Sequence, residues 1–215
     1  MGKDIMMLSV HSIHEAGQSV GMELSEKQCE QLVTFGRLLI QWNKVYNLTR
    51  LASEQDVLKL HILDSLAFVA AINGRHLPRV LDVGSGGGLP AIPLAVVRPE
   101  TQVVMVDSVQ KKTVFLQQVI MKTGLKNACV LHSRVEDLPN ACFNAVTCRA
   151  FATLSKIVFL TRRFLVADGE WLLMKGKNPR DEIRDLEPDV LVKEDRKLVV
   201  PGTDLDRCLI VLGVN

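Results

Sequence analysis

The hydrophobic period of the chain changes near residue 78. Before that point apolar residues recur at helical spacing. Ser25-Glu-Lys-Gln28 has the form of a capping box, in which the serine hydroxyl accepts from the third helical N–H and the glutamine reaches back. The helix it opens is expected to run to about Lys44, with Cys29, Leu32, Val33, Phe35, Leu38, Leu39 and Trp42 on one wide apolar face. Ser53 with Asp56 opens a second helix of the same kind, reaching about Ile72, where Asn73-Gly74 ends it and Pro78 prevents continuation. Residues 1–75 read as a helical unit and residues 76–215 as the main domain.

From Arg79 short apolar runs alternate with helical stretches. Val80–Val83 and Val103–Val106 have the length and composition of buried strands, the first running into a glycine-rich turn and the second closed by Asp107. Pro90 stands at a helix start, Ser108 is expected to cap the next helix, and Gly124 to end it. Further strands are expected at Cys129–His132, Ala145–Cys148 and Glu170–Met174, with a helix at Leu154–Val166. This alternation predicts a doubly wound α/β, Rossmann-like parallel sheet covered on both faces. Residues 177–197 hold 13 charges of mixed sign and read as a solvated helix or connection. Lys197–Val200 and Cys208–Val211 suggest an antiparallel hairpin at the sheet edge.

At 215 residues, one domain with a small appendage is expected. No apolar run approaches the roughly 18 residues of a spanning helix; Leu89–Val97 is short and broken by Pro90 and Pro93. Lys3 and Asp4 precede only the brief patch Ile5–Leu8, unlike a secretory leader, so a soluble cytoplasmic protein without membrane attachment is expected. Five cysteines without a CxxC pair (Cys29, Cys129, Cys142, Cys148 and Cys208) read as buried, reduced thiols, and no metal site is expected. The net charge of +2 argues against a broadly basic nucleic-acid binder. Residues 79–215 nevertheless carry 19 basic against 16 acidic side chains, enough for a local basic rim.

The candidate chemistry lies after the first strand. Asp82-Val-Gly84-Ser-Gly86-Gly-Gly88 sits where open parallel sheets bind nucleotide-like ligands. Asp107 closes the next strand, where a carboxylate can accept from both hydroxyls of a ribose. The dinucleotide fingerprint requires a glycine where this chain has Leu89. The spacing favours S-adenosylmethionine (SAM), whose ammonium suits Asp82, over NAD(P). Ser133-Arg-Val-Glu136-Asp137 falls where an adenine is held. After the fourth strand, Thr147-Cys148-Arg149-Ala150 lacks the [DN]PP[YF] run of exocyclic-amine methylation, and Cys148 lacks the preceding proline of a C5-methylating nucleophile.

Together these motifs resemble one family, the bacterial small-subunit ribosomal RNA guanine-N7 methyltransferases, also called glucose-inhibited division protein B. The resemblance covers nearly the whole chain. It rests on Trp42-Asn-Lys-Val-Tyr-Asn-Leu-Thr49, His61-Ile-Leu-Asp-Ser65, Leu81-Asp-Val-Gly-Ser-Gly-Gly-Gly-Leu-Pro-Ala-Ile-Pro93, Ser133-Arg-Val-Glu136, Arg149-Ala-Phe-Ala152 and Lys175-Gly176. The chain departs at Gly87, where the family often has proline, and at Ala91, where glycine is common. The resemblance implies SAM contacts through Gly84, Leu89, Val135, Glu136 and Arg149. It implies 16S rRNA as substrate, in the 30S subunit or an assembly intermediate, with the methyl placed on N7 of guanosine 527.

Guanine N7 carries a lone pair and no proton, so the reaction needs no general base, consistent with the missing nucleophile patterns. An arginine bidentate to O6 and N7 would block the nucleophile. Arg149, the catalytic candidate, is therefore expected on O6 alone, a phosphate or the methionine carboxylate. Arg134 and Lys175 are candidates for RNA phosphates. His61 and Asp64, one helical turn apart, read as a hydrogen-bonded packing pair, Asn47 and Thr49 as residues fixing the interhelical turn, and Trp42 as core. A monomer is expected. The competing readings are an NAD(P)-dependent oxidoreductase, disfavoured by Leu89, and a ribosome-assembly factor that keeps the pocket without catalysis.

Overall fold

The capping box at Ser25 forms as the pattern requires. Ser25 Oγ accepts from Gln28 N–H at 3.3 Å and Gln28 Oε1 accepts from Ser25 N–H at 2.9 Å, opening α2 (Glu26–Tyr46). The structure is a computed structural model and describes residues 7–49, 53–149, 151–176 and 179–215. Lys3, Asp4 and Ile5 of the leader reading, and Ala150 of the Arg149–Ala152 motif, lie outside these residues. A helix the pattern leaves unread, α1 (Val10–Ser19), precedes α2 and starts at its own capping box between Ser9 and Ser12. Asn47 closes α2 at φ 50°, and Asn43 Oδ1 accepts from Thr49 N–H at 2.7 Å, which fixes the turn.

Ser53 caps the next helical run as expected, but the run is not uniform. It passes from α3 (Glu54–Asp56) through a π-helical stretch, Val57–Leu63, into α4 (Asp64–Ala71). Widened turns of this kind re-aim side chains and frequently occur at functional sites; here the stretch carries His61.

Seven strands follow: β1 (Arg79–Val83), β2 (Gln102–Asp107), β3 (Ala128–His132), β4 (Phe143–Arg149), β5 (Leu165–Lys175), β6 (Val190–Lys197) and β7 (Cys208–Val214). The sheet order is β3-β2-β1-β4-β5-β7-β6. The first five are parallel, and β7 runs antiparallel between β5 and β6. Helices α5 (Ala91–Val97), α6 (Gln110–Thr123), α7 (Leu154–Thr161) and α8 (Arg180–Arg184) and the 3-10 turns Val135–Asp137 and Arg162–Phe164 complete the described elements. On one face, Val80, Met105, Leu172 and Leu209 join Ile13, Leu32, Phe35 and Phe68 of the first helices in a single apolar cluster. On the other, Leu81, Val106, Val146 and Leu173 pack with Leu154, Ile157 and Trp171. Val80 of β1 thus faces one buried layer and Leu81 and Val83 the other, the condition for a parallel sheet wound on both sides.

Several expected boundaries move. Ser108 does not cap α6: the helix follows Val109 without a side-chain cap, and Asp107 Oδ1 accepts from the Val109 N–H at 2.9 Å just ahead of it. The helix from Leu154 stops at Thr161, and after a short 3-10 turn Leu165 already begins β5, eleven residues long. The charged stretch 177–197 is not solvated helix or connection throughout, because Val190–Lys197 is the edge strand β6. The hairpin is present, but with this earlier first arm. Cys29, Cys148 and Cys208 are buried, whereas Cys129 and Cys142 are exposed, and none of the five forms a disulfide.

Candidate active site

The site forms where β1, β2 and β4 end. Gly84 leaves β1 at φ +66°, a conformation that disfavours any side chain. A Cβ there would come within 2.4 Å of the Phe151 ring, which rests on this glycine. Gly88, at φ +81°, lets the turn press against α5 and α6, where a Cβ would meet Ile92 and Leu116. Beyond the turn lies a cavity of about 350 Å³. Its wall brings together Gly84, Asp107, Arg134, Val135 and Glu136 from the sequence-selected residues, and adds Lys112, Phe151 and Lys156. Asp82, Gly86, Gly88, Leu89 and Arg149 are not on that wall.

Asp107 is buried at the tip of β2. Its Oδ2 accepts from Gly86 N–H at 2.9 Å, tying the acid to the glycine turn, and Lys112 Nζ lies 3.7 Å away. Each carboxylate oxygen keeps a further lone pair for a ligand hydroxyl. Across the cavity Val135–Asp137 form one 3-10 turn. Arg163, unremarked in the sequence, holds it by donating to the carbonyls of Val135, Glu136 and Leu138 at 3.4, 2.7 and 3.0 Å.

Asp82 is 1% exposed. The Ser85 hydroxyl donates to its backbone carbonyl at 3.0 Å, and both carboxylate oxygens lack a hydrogen-bond partner among the described residues. Its cross-strand neighbour Thr147 has an equally unpartnered hydroxyl. Burial pushes the Asp82 carboxyl up to about 7, against the pull of Ser85 and Arg149, and the Asp107 charge adds to the rise. Orphaned buried acceptors are uncommon and call for a partner. An ammonium group would supply the missing donor, and the nearby cavity carries Asp107 and Val135–Glu136 for an adenosine, so the chemistry of the residues present fits SAM.

Arg149 and Lys175 line a second cavity of about 300 Å³ with Leu60, His61, Met174, Gly176, Leu205 and Arg207. Asp64 does not serve mainly as a partner of His61: its carboxylate binds Arg149 and Arg207. His61 Nε2 instead lies 3.0 Å from Thr49 Oγ1. The Lys175 ammonium is occupied by Glu182 Oε2 at 2.7 Å and the Ala152 carbonyl at 2.8 Å. Trp42 is partly buried and bonds Gln118 while packing on Phe115 and Tyr46, a structural setting. Burial pushes the Cys148 thiol up to about 12, with the Asp82 charge adding to the rise, so this sulfur is no nucleophile. Among the described residues no cluster of histidine, cysteine and acidic side chains is arranged for a metal ion, and no helix is long and apolar enough to cross a membrane.

The strand order and strand-end cavity define a methyltransferase-type Rossmann-like fold. A SAM dependent methyltransferase from Aquifex aeolicus superposes with TM-score 0.58 at 17% identity, over 74% of this chain and 93% of that one. A ribosomal protein L11 methylase from Lactobacillus delbrueckii subsp. bulgaricus gives 0.56 at 12% identity, over 73% and 79%. At such identities the likeness concerns the fold. In sequence, residues 28–210 match the family described as GidB, rRNA small subunit methyltransferase G. A protein of that name from Acidovorax sp. (strain JS42) is 44% identical over 214 residues, covering 94% of each chain. Another, from Chromobacterium violaceum, is 42% identical over 206 residues, covering 95% of this chain and 98% of its own. The chain belongs to the rRNA small subunit methyltransferase G family.

Proposed function

We propose that this protein transfers a methyl group from SAM to N7 of a guanine in 16S rRNA, guanosine 527 by family resemblance, acting in the cytoplasm as a monomer on the 30S subunit or an assembly intermediate. The observation that carries this reading is family membership over nearly the full length of the chain. The geometry supports it. Asp107 suits the ribose hydroxyls, Val135 and Glu136 the adenine, the backbone from Gly84 to Leu89 the methionyl arm, and the bare Asp82 carboxylate the ammonium.

When bound, SAM supplies an electrophilic methyl: N7 donates its lone pair to the methyl carbon, the carbon–sulfur bond breaks, and its electrons stay on sulfur. No proton leaves N7, so the chain needs no general base, and its work is alignment and electrostatics. Positive charge moves onto the purine as the bond forms. The ion pair from Asp64 to Arg149, the last residue of β4, supports a role for Arg149 in orienting the RNA through a group other than N7. Arg134, exposed on the rim of the first cavity, supplies a cation for a neighbouring phosphate.

The test is transfer of radiolabel from SAM to 30S particles and to naked 16S rRNA. Label is expected in the RNA with the native chain and absent with Arg149→Ala, which keeps its fold by circular dichroism. Normal turnover in that variant would refute the role of Arg149; no label with the native chain on either substrate would refute the function.

A further inference from the structure

The second cavity shares no lining residue with the first. Its wall joins distant parts of the chain: His61 of the π-helical stretch, Arg149 of β4, Lys175 of β5, and Arg207 just ahead of β7. Behind it, Asp64 is 0% exposed. Asp64 Oδ2 accepts from Arg149 Nη1 at 3.1 Å, and Oδ1 from Arg207 Nε at 2.9 Å. One carboxylate thus answers two guanidinium groups. Lys175 leaves this sum unchanged, because Glu182 matches its charge. Asp82, the other acid near Arg149, is the group assigned above to the cofactor ammonium.

Among the described residues, one positive charge of this buried cluster is left over, on side chains only 21% and 22% exposed, and Asp206 beside Arg207 is exposed to solvent. A charge held in such surroundings without a matching partner is costly, and an anion relieves it. Guanidinium groups offer paired N–H donors that match phosphate oxygens. We infer that the second cavity is a phosphate seat for the RNA backbone beside the target guanine, with Arg149 and Arg207 as donors and Asp64 as the positioning residue that holds both. This rests on the RNA reading above and deepens it. The other oxyanion with the same chemistry is the methionine carboxylate of SAM, which the test separates.

The experiment compares the full native chain with Arg207→Gln and Arg207→Lys. Affinity for S-adenosylhomocysteine is measured by calorimetry, and affinity for 30S particles at several salt concentrations. Thermal stabilisation by inorganic phosphate is read against chloride at equal ionic strength. Arg207→Gln is expected to lose about 10-fold or more in 30S affinity, the scale of a lost charge-assisted hydrogen bond. Its salt slope is expected to fall by about one. Arg207→Lys, which keeps charge without the fork, is expected in between. Affinity for S-adenosylhomocysteine should be unchanged, and phosphate should stabilise the native chain but not Arg207→Gln. Unchanged 30S affinity and slope would overturn the seat. A parallel loss of S-adenosylhomocysteine affinity would also overturn it, assigning the cavity to the carboxylate. If the native chain binds no 30S particle, the RNA reading fails, and the phosphate comparison alone decides: loss in Arg207→Gln keeps an anion seat, an equal response removes it.

Discussion

Asp64 and Arg149 stand 85 positions apart in sequence, yet the buried carboxylate of one accepts from the guanidinium of the other at 3.1 Å. The contact fastens the N-terminal helices to the end of β4, and Leu60 and His61 of the helical segment form part of the wall of the second cavity. Removing the negative charge would leave Arg149 and Arg207 facing each other without compensation. Asp64→Asn is therefore expected to cost about 3–5 kcal/mol, a fall of roughly 10 °C in Tm for a chain of this size. Thermal unfolding of native and variant protein measures this, and an unchanged Tm would show the ion cluster to be energetically idle.

Asp82 ties stability to pH. Its folded carboxyl holds a proton up to about 7, whereas the unfolded one releases it near 3.8. The folded state thus binds the extra proton, and stability from this group falls as pH rises between those values and levels off above the upper one. The urea midpoint is expected to be higher at pH 5.5 than at pH 7.5 by a margin that Asp82→Asn removes. Ligand binding runs the other way: an ammonium needs the ionised acid, so S-adenosylhomocysteine should bind more tightly as pH rises through 7. Identical pH profiles for native protein and Asp82→Asn would contradict both expectations.

Gly84 has two reasons to lack a side chain: its φ of +66° and the Phe151 ring upon it. Gly84→Ala is expected to lose about 1–2 kcal/mol from the backbone conformation alone. It should also weaken S-adenosylhomocysteine binding, because Phe151 must move from its place on the cavity wall. Denaturant titration and calorimetry read the two effects separately. Native stability with native affinity would show that the turn tolerates a Cβ.

Cys148 and Cys142 offer a contrast within one strand and its approach. Cys142 is exposed, whereas the Cys148 thiol is buried and raised to about 12. A thiol reagent at neutral pH is expected to label Cys142 and to spare Cys148 until the chain unfolds, as peptide mass mapping would reveal. Rapid labelling of Cys148 in the native state would reopen a nucleophilic role for it.

Much of this architecture is legible in the sequence because local and global preferences agree there. Val80–Val83 and Val103–Val106 are apolar on both faces, which only a doubly covered sheet can use, and the acids Asp82 and Asp107 stand out against them. Other parts depend on tertiary pairing. The edge strand β6 hides behind Lys193, Glu194, Asp195, Arg196 and Lys197, charges that keep an exposed edge from pairing with other chains. Arg207 acquires its meaning only because β7 inserts beside β5, setting Cys208 opposite Lys175 and bringing the preceding arginine to Asp64. Phe151 belongs to a recognisable motif, but nothing in the linear pattern says that its ring lies on Gly84. Arg163 is likewise one basic residue among many until its three carbonyl partners are seen.

The most direct measurement is the position of the transferred methyl. 30S particles lacking the modification are incubated with the protein and SAM, the 16S rRNA is treated with borohydride and aniline, which cleave the strand at N7-methylguanosine, and the break is mapped by primer extension. A new, SAM-dependent stop at guanosine 527 is the expected result. Methyl incorporation without strand scission there would contradict transfer to that nitrogen.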